Sequence, residues 1–253
     1  MTRPLRPLAA AAVATLVLAG AGADPAGAQK FSDEQRREIG AIVRDYLLKN
    51  PEVLQEAIGE LEKRQAVAEA DKHKAAISTH REALFNSKRQ VNLGNPQGDV
   101  TLVEFFDYNC GYCKRALADM LELLKSDQKV KFVLKEFPVL GPGSVEAAQV
   151  AVAVNMQDRT GKKYLEFHQK LLSGRGQIDK AKALAAAKEV GLDVARIEKD
   201  LQGPEIKATL EESVKLAEAL GINGTPSYVV GQNVIPGAVG AAALKQHVEA
   251  ARR

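Results

Sequence analysis

The chain has 253 residues, a formal charge of +3, no Trp and two Cys. So small a charge leaves no basic footprint for nucleic acid, and no such partner is expected. The length allows one domain with a good core plus an appendage, and with 5% aromatic residues that core must be largely aliphatic.

Arg3 and Arg6 form a short basic start, residues 8–20 are an apolar, Ala-rich run, and Ala26-Gly27-Ala28 offers a small-residue cleavage site before Gln29. This layout predicts a cleaved secretory signal peptide over residues 1–28. A membrane anchor is the alternative, but thirteen apolar residues fall short of the roughly 20 that a spanning helix needs. The chain is therefore expected in a compartment where disulfides persist.

Residues 29–87 read as a charged, helical segment. Ser32 with Gln35 makes a capping box, and Asp33 and Glu34 sit in the first turn. Ile39, Ile42, Val43, Tyr46 and Leu47 follow helical spacing until Asn50-Pro51 stops one helix and starts another. The second helix is expected over residues 51–85, with a narrow seam at Leu54, Ile58 and Leu61 that Val67, Ile77 and Leu84 continue loosely. A long charged helix with a thin apolar seam usually packs, coiled-coil fashion, against another copy of itself. Self-association through these helices is the expectation; a helix folded back on its own domain is the alternative.

A turn-rich stretch at residues 92–100 marks the entrance to a second domain, residues 88–253. There the pattern predicts a buried strand at 100–106, a helix at 112–125 and a strand at 130–139. Several helices over about 144–220 follow, then strands at 226–230 and 233–235 and a closing helix at 241–251. This is an α/β architecture with a helical insertion.

Both cysteines, Cys110 and Cys113, lie where the first strand meets its helix. A structural zinc site needs four ligands, and His73, His80, His168 and His247 are scattered, so no metal or other cofactor is expected. Two thiolates alone leave copper(I) binding as a minor reading. A structural disulfide closing so short a loop would stabilise by only about 2 kcal/mol. The redox reading has a mechanism. Unpaired N–H groups and the helix dipole favour an anion on Cys110, making it the nucleophile. Cys113, one turn on, is placed to attack the mixed disulfide, and Gly111 leaves room for an incoming peptide.

The stretch 103–116, VEFFDYNCGYCKRA, together with 221–231, GINGTPSYVVG, resembles the thioredoxin-fold disulfide oxidoreductases of the DsbA family. The resemblance covers roughly residues 88–253. It implies a thioredoxin fold with a helical insertion, preceded here by an N-terminal helical extension, and a periplasmic location. It also implies that Thr225 and a cis Pro226 face the dithiol, and that Glu104 is the acidic position beneath it. Glu104 would exchange protons with Cys113, or else form an ion pair with Lys135 on the adjacent strand. His168 and His247 read as surface or packing residues. Tyr112 departs from the basic residue of the strongest oxidants, and the extension is similar to that of suppressor-of-copper-sensitivity C-type and Com-one-like proteins. These features favour a disulfide isomerase or reductase acting on exported proteins and recharged by a membrane-bound redox partner. The alternatives are a monomeric dithiol oxidase and a copper(I)-binding periplasmic protein.

Overall fold

The computed structural model describes residues 31–253; the signal segment expected at 1–28 lies outside the described residues. The chain divides into two compact units, the first ending at Gly59 and the second being Glu60–Arg253. Among the described residues no helix is long and apolar enough to cross a membrane.

In the first unit, helix α1 (Asp33–Lys49) opens on the capping box: Gln35 N–H donates to Ser32 Oγ at 3.2 Å, and Ser32 N–H to Gln35 Oε1 at 2.9 Å. It ends where the Asn50 backbone and side-chain amides both donate to the Tyr46 carbonyl. Helix α2 (Glu52–Thr79) follows directly on Pro51. α1 buries none of its residues, and Ile39, Ile42, Val43, Tyr46, Leu54 and Ile58 are all exposed.

The second unit takes up the rest of α2. The helix expected to run to residue 85 breaks at His80, and a short α3 (Arg81–Phe85) follows. Thr79 turns its hydroxyl back to the Ala75 carbonyl at 3.0 Å, a bond that competes with the helical ladder. Ile77, Leu84 and Phe85 then pack with Val103, Phe105, Val133 and Leu216. Ile77 and Leu84 therefore belong to a core within their own domain rather than to a continuing seam. That packing places the start of the second unit well before the composition break at residue 88.

Five strands form one mixed sheet in the order β1-β3-β2-β4-β5. They are β1 (Val91–Gly94), β2 (Val100–Phe106), β3 (Val130–Glu136), β4 (Ser227–Val230) and β5 (Asn233–Pro236). β2 and β3 run parallel; the other pairs are antiparallel. β1 lies where the sequence reads mainly as a turn. It is an edge strand closed by Gly94 at φ +71°, where a Cβ would stand 2.7 Å from the Val130 carbonyl oxygen. β3 stops short of residue 139: Phe137 N–H still reaches the Phe106 carbonyl at 2.9 Å, but Pro138 has no N–H to continue.

Helix α4 (Gly111–Ser126) follows β2, and the helical insertion lies between β3 and β4: α5 (Pro142–Gln157), α6 (Lys162–Ser173), α7 (Lys180–Glu189), α8 (Val194–Asp200) and α9 (Pro204–Ala219). The closing α10 (Ala241–Ala251) packs on α4. α5 is rich in Ala and Val and buried on most of its surface, as suits the middle of a helical layer. One sheet face meets α4, α10 and most of the insertion; the other meets α3 and α9. The core is aliphatic by count, with one aromatic cluster in the layer that also holds the cysteines. Phe106, Tyr108, Tyr164, Phe167 and His168 meet there in edge or stacked contacts.

Candidate active site

Residues 107–109 turn the chain from β2 into α4, and Cys110 is the N-cap of that helix, with extended backbone (φ −76°, ψ 116°). Its sulfur does what a Ser or Asp oxygen usually does there: it accepts the Cys113 backbone N–H, at 3.3 Å. Cys110 N–H in turn donates to the Asp107 carbonyl at 3.1 Å, closing the turn. Both cysteines are free thiols and buried, Cys113 completely. Gly111 and Tyr112 between them are exposed, and a Cβ on Gly111 would meet nothing within 4 Å. The Arg115 guanidinium lies 4.3 Å from the Tyr112 ring centroid, so a cation does border the motif, stacked on the tyrosine.

Sheet register brings the second motif to the first. β4 pairs with β2 through Glu104↔Tyr228 and Phe105↔Ser227, so residues 225–226 lie just beyond the end of β2, beside the cysteines. The Thr225-Pro226 peptide bond is cis. The Cys110 thiol donates to the Thr225 carbonyl oxygen at 3.1 Å.

Glu104 sits on the same strand, six residues before Cys110, and is buried. Burial pushes its carboxyl up to about 8, with the nearby Asp119 charge adding to the shift. Burial also drives the Cys113 thiol far above the usual thiol range, and the Glu104 charge pushes the same way. The two groups thus feel each other, and each is held toward its protonated form at neutral pH. Tyr228, opposite Glu104, is raised by burial and then by the same carboxylate.

Lys135 is not the partner of Glu104. In the parallel pair, Glu104 lies opposite Leu134 and Lys135 opposite Phe105, so the two side chains leave the sheet on different faces. Lys135 Nζ bonds Glu212 Oε1 at 3.2 Å and the Ala83 carbonyl at 2.7 Å.

The structure therefore gathers Cys110, Cys113, Thr225, Pro226 and Glu104 around one strand end. Sequence reading passed over the anchors of the turn. Asp107 accepts from the Ser144 hydroxyl and from the N–H groups of Asn109, Val139 and Leu140. Tyr108 meets the hydroxyl of Tyr164 and Nδ1 of His168, both at 3.2 Å, and Tyr164 donates to the buried Glu136 at 2.7 Å. His168 is a packing residue, and burial lowers its imidazole to about 3. Only the polar run Asp107-Tyr108-Asn109 within an apolar stretch hinted at these bonds. His247 lies half-exposed on α10. Among the described residues no three His, Cys, Asp or Glu side chains converge as a metal site.

The DSBA-like thioredoxin domain model matches residues 101–249, and the N-terminal domain model of copper resistance protein ScsC matches residues 35–68. The chain is 44% identical to a thioredoxin-like oxidoreductase from Silicibacter pomeroyi DSS-3, over 68% of this chain and 97% of that one, with a TM-score of 0.64. It is 31% identical to Proteus mirabilis ScsC in a transitional conformation, over 88% of this chain and 97% of that one, with a TM-score of 0.63. A curated relative, Na(+)/H(+) antiporter NhaA 1 of Salinispora arenicola, is 29% identical over 54% of this chain. The match covers 21% of that protein, so the chain spans about a fifth of its length.

Proposed function

The chain belongs to the DSBA-like thioredoxin family, and on that premise we propose that it is a periplasmic disulfide isomerase or reductase acting on cysteines of exported proteins. Its export would rest on the signal segment at residues 1–28. The dithiol reading is carried by Cys110, whose sulfur caps α4 and faces Thr225. In the reaction, the Cys110 thiolate attacks a substrate disulfide. One S–S bond breaks and one forms, and the displaced substrate thiolate leaves and takes up a proton. If that thiol attacks a second disulfide of the substrate and the thiolate so released attacks the mixed disulfide, Cys110 is expelled and the bonds are reshuffled with no net electron transfer. If instead Cys113 gives up its proton, which Glu104 can accept only in its minor carboxylate form at neutral pH, and attacks Cys110, the substrate leaves reduced. The Cys110–Cys113 disulfide then needs two electrons from a membrane-bound reductant.

Isomerase over oxidase is favoured by one observation, the exposed apolar seam of α1 and early α2 (Ile39, Ile42, Val43, Tyr46, Leu54, Ile58). Such a seam suits packing against further copies of the chain. Joined catalytic units hold a second thiol near the same substrate, at effective concentrations on the order of millimolar. The test is solution mass plus two activities, for the full chain and for a form beginning at Glu60, which keeps Ile77, Leu84 and Phe85 in its core. The full chain should be an oligomer and the shortened one a monomer. Refolding of a scrambled-disulfide substrate should fall about ten-fold or more on shortening, while oxidation of a dithiol peptide is spared. A monomeric full chain, or undiminished refolding by the shortened form, would leave a monomeric oxidase as the better reading.

A further inference from the structure

The residues that immediately flank the two cysteines hold one and the same loop. Asn109, just before Cys110, pairs its side-chain amide with both backbone groups of Ile178: Nδ2 donates to the carbonyl at 2.9 Å, and Oδ1 accepts the N–H at 2.7 Å. Lys114, just after Cys113, donates Nζ to the Gly174 carbonyl at 2.8 Å. The loop between α6 and α7 is thus gripped at both ends by groups on either side of the dithiol. It is braced again from its far side, where Lys182 Nζ donates to the carbonyls of Arg175 and Gln177 at 3.0 and 2.6 Å. Gly174 closes α6, and a Cβ there would stand 3.0 Å from the Leu171 carbonyl oxygen, so the loop starts from a tightly defined point.

We infer that Asn109 and Lys114 are positioning residues which, through the loop at 174–178, hold the Cys110 turn in its reactive geometry. The sulfur of Cys110 has two fixed partners, the Cys113 N–H and the Thr225 carbonyl. Both contacts need the first turn of α4 to stay where it is. The Asp107 bonds and the buried Cys113 hold its inner side, while its outer side, with Gly111 and Tyr112 exposed, needs a restraint of its own. The clasp supplies that restraint from outside the turn. Two side chains acting through one rigid loop form a single device, so losing either arm releases the same restraint.

This inference rests on the dithiol reading, so the test reads the sulfur itself as well as turnover. Cys110 alkylation by iodoacetamide at mildly acidic pH is followed by peptide mass for wild type, Asn109→Ala, Lys114→Met, Lys114→Arg and the Asn109→Ala/Lys114→Met double variant, alongside the equilibrium of each dithiol with glutathione and its Tm. Lys114→Met, which removes one hydrogen bond, should alkylate about five-fold more slowly, and Asn109→Ala, which removes two to Ile178 and one to Ser144, at least as slowly. The double variant should be no slower than the worse single, and Lys114→Arg, which keeps a donor for Gly174, should recover most of the rate. A wild-type rate in Lys114→Met, a double variant whose loss is the product of the two singles, or failure of Lys114→Arg to recover would each overturn the inference. Should Asn109→Ala not fold, the two Lys114 variants decide, since Lys114 is half-exposed on the helix surface. Wild-type protein that alkylates normally but exchanges no disulfide would sink the enzymatic reading and leave the clasp standing.

Discussion

Glu104 and Lys135 lie on neighbouring strands of one sheet, both buried, and the two faces treat their charges in opposite ways. On the face with α3 and α9, Lys135 is answered by Glu212 and by a helix carbonyl. Burial lowers its ammonium, and Glu212 opposes that shift. On the face with α4, the titrating groups coupled to Glu104 are acids, Asp119, Cys113 and Tyr228, and its carboxyl rises to about 8. A buried charge with a partner serves architecture; one held off balance is poised to move a proton.

The largest expected effect comes from removing that imbalance. Glu104 has a folded value near 8 against a usual 4.5, so between those pH values the folded chain holds a proton that the unfolded chain has lost. The stability this contributes is fully present below about 4.5 and is lost as pH rises through 8, by about 5 kcal/mol. Glu104→Gln should remove that share of the decline, so stability measured by urea unfolding should fall less between pH 5 and pH 8.5 than in wild type. The same variant should accumulate mixed disulfides on Cys110, because Cys113 has lost its proton acceptor. An unchanged pH slope in the variant would place the decline elsewhere.

The second prediction attacks the other face. Glu212→Ala leaves Lys135, 2% exposed, with only the Ala83 carbonyl to answer its charge. Breaking a buried pair on one side costs about 3 kcal/mol, which urea unfolding at pH 7 would read, while Cys110 alkylation stays at the wild-type rate. A loss under about 1 kcal/mol, the size of an exposed pair, would mean that the ammonium is not committed to Glu212.

The contrast between these faces was only half legible in the sequence. The strand–CxxC–helix junction could be read locally, because capping and apolar runs are short-range signals, and the sequence placed Thr225 and Pro226 by resemblance. Which face Lys135 takes relative to Glu104 depends on the β2–β3 register, and no residue in either strand states it. Residues 130–136 are buried on both faces, so their alternation is masked by a nearly continuous apolar run. β1 is four residues carrying Asn and Gly, too short to outweigh its turn-like neighbours. The break at His80 has no Pro or Gly to announce it; Thr79 and the burial of Ile77, Leu84 and Phe85 decide it. The Asn109 and Lys114 contacts join residues 60 or more positions apart, and nothing in a local reading pairs them.

The smallest effect is the one that separates a satisfied charge from a needed one. Lys135→Met keeps most of the aliphatic stem that fills the space below β3 and removes the ammonium. Glu212 remains partly exposed and retains Arg89 Nη1 at 3.4 Å, so it is not stranded as Lys135 would be in the reverse change. The Ala83 carbonyl loses its donor, at about 1 kcal/mol for one hydrogen bond. The expected outcome is therefore a fall of about 1 kcal/mol in urea unfolding, well short of the loss in Glu212→Ala, with dithiol exchange unchanged. The asymmetry between the two partners is the informative quantity. Equal losses would mean that the pair's attraction, not the stranding of a buried cation, sets the cost. A change in Cys110 reactivity would mean that the two faces are coupled across the sheet, and the division of labour between Lys135 and Glu104 would fall.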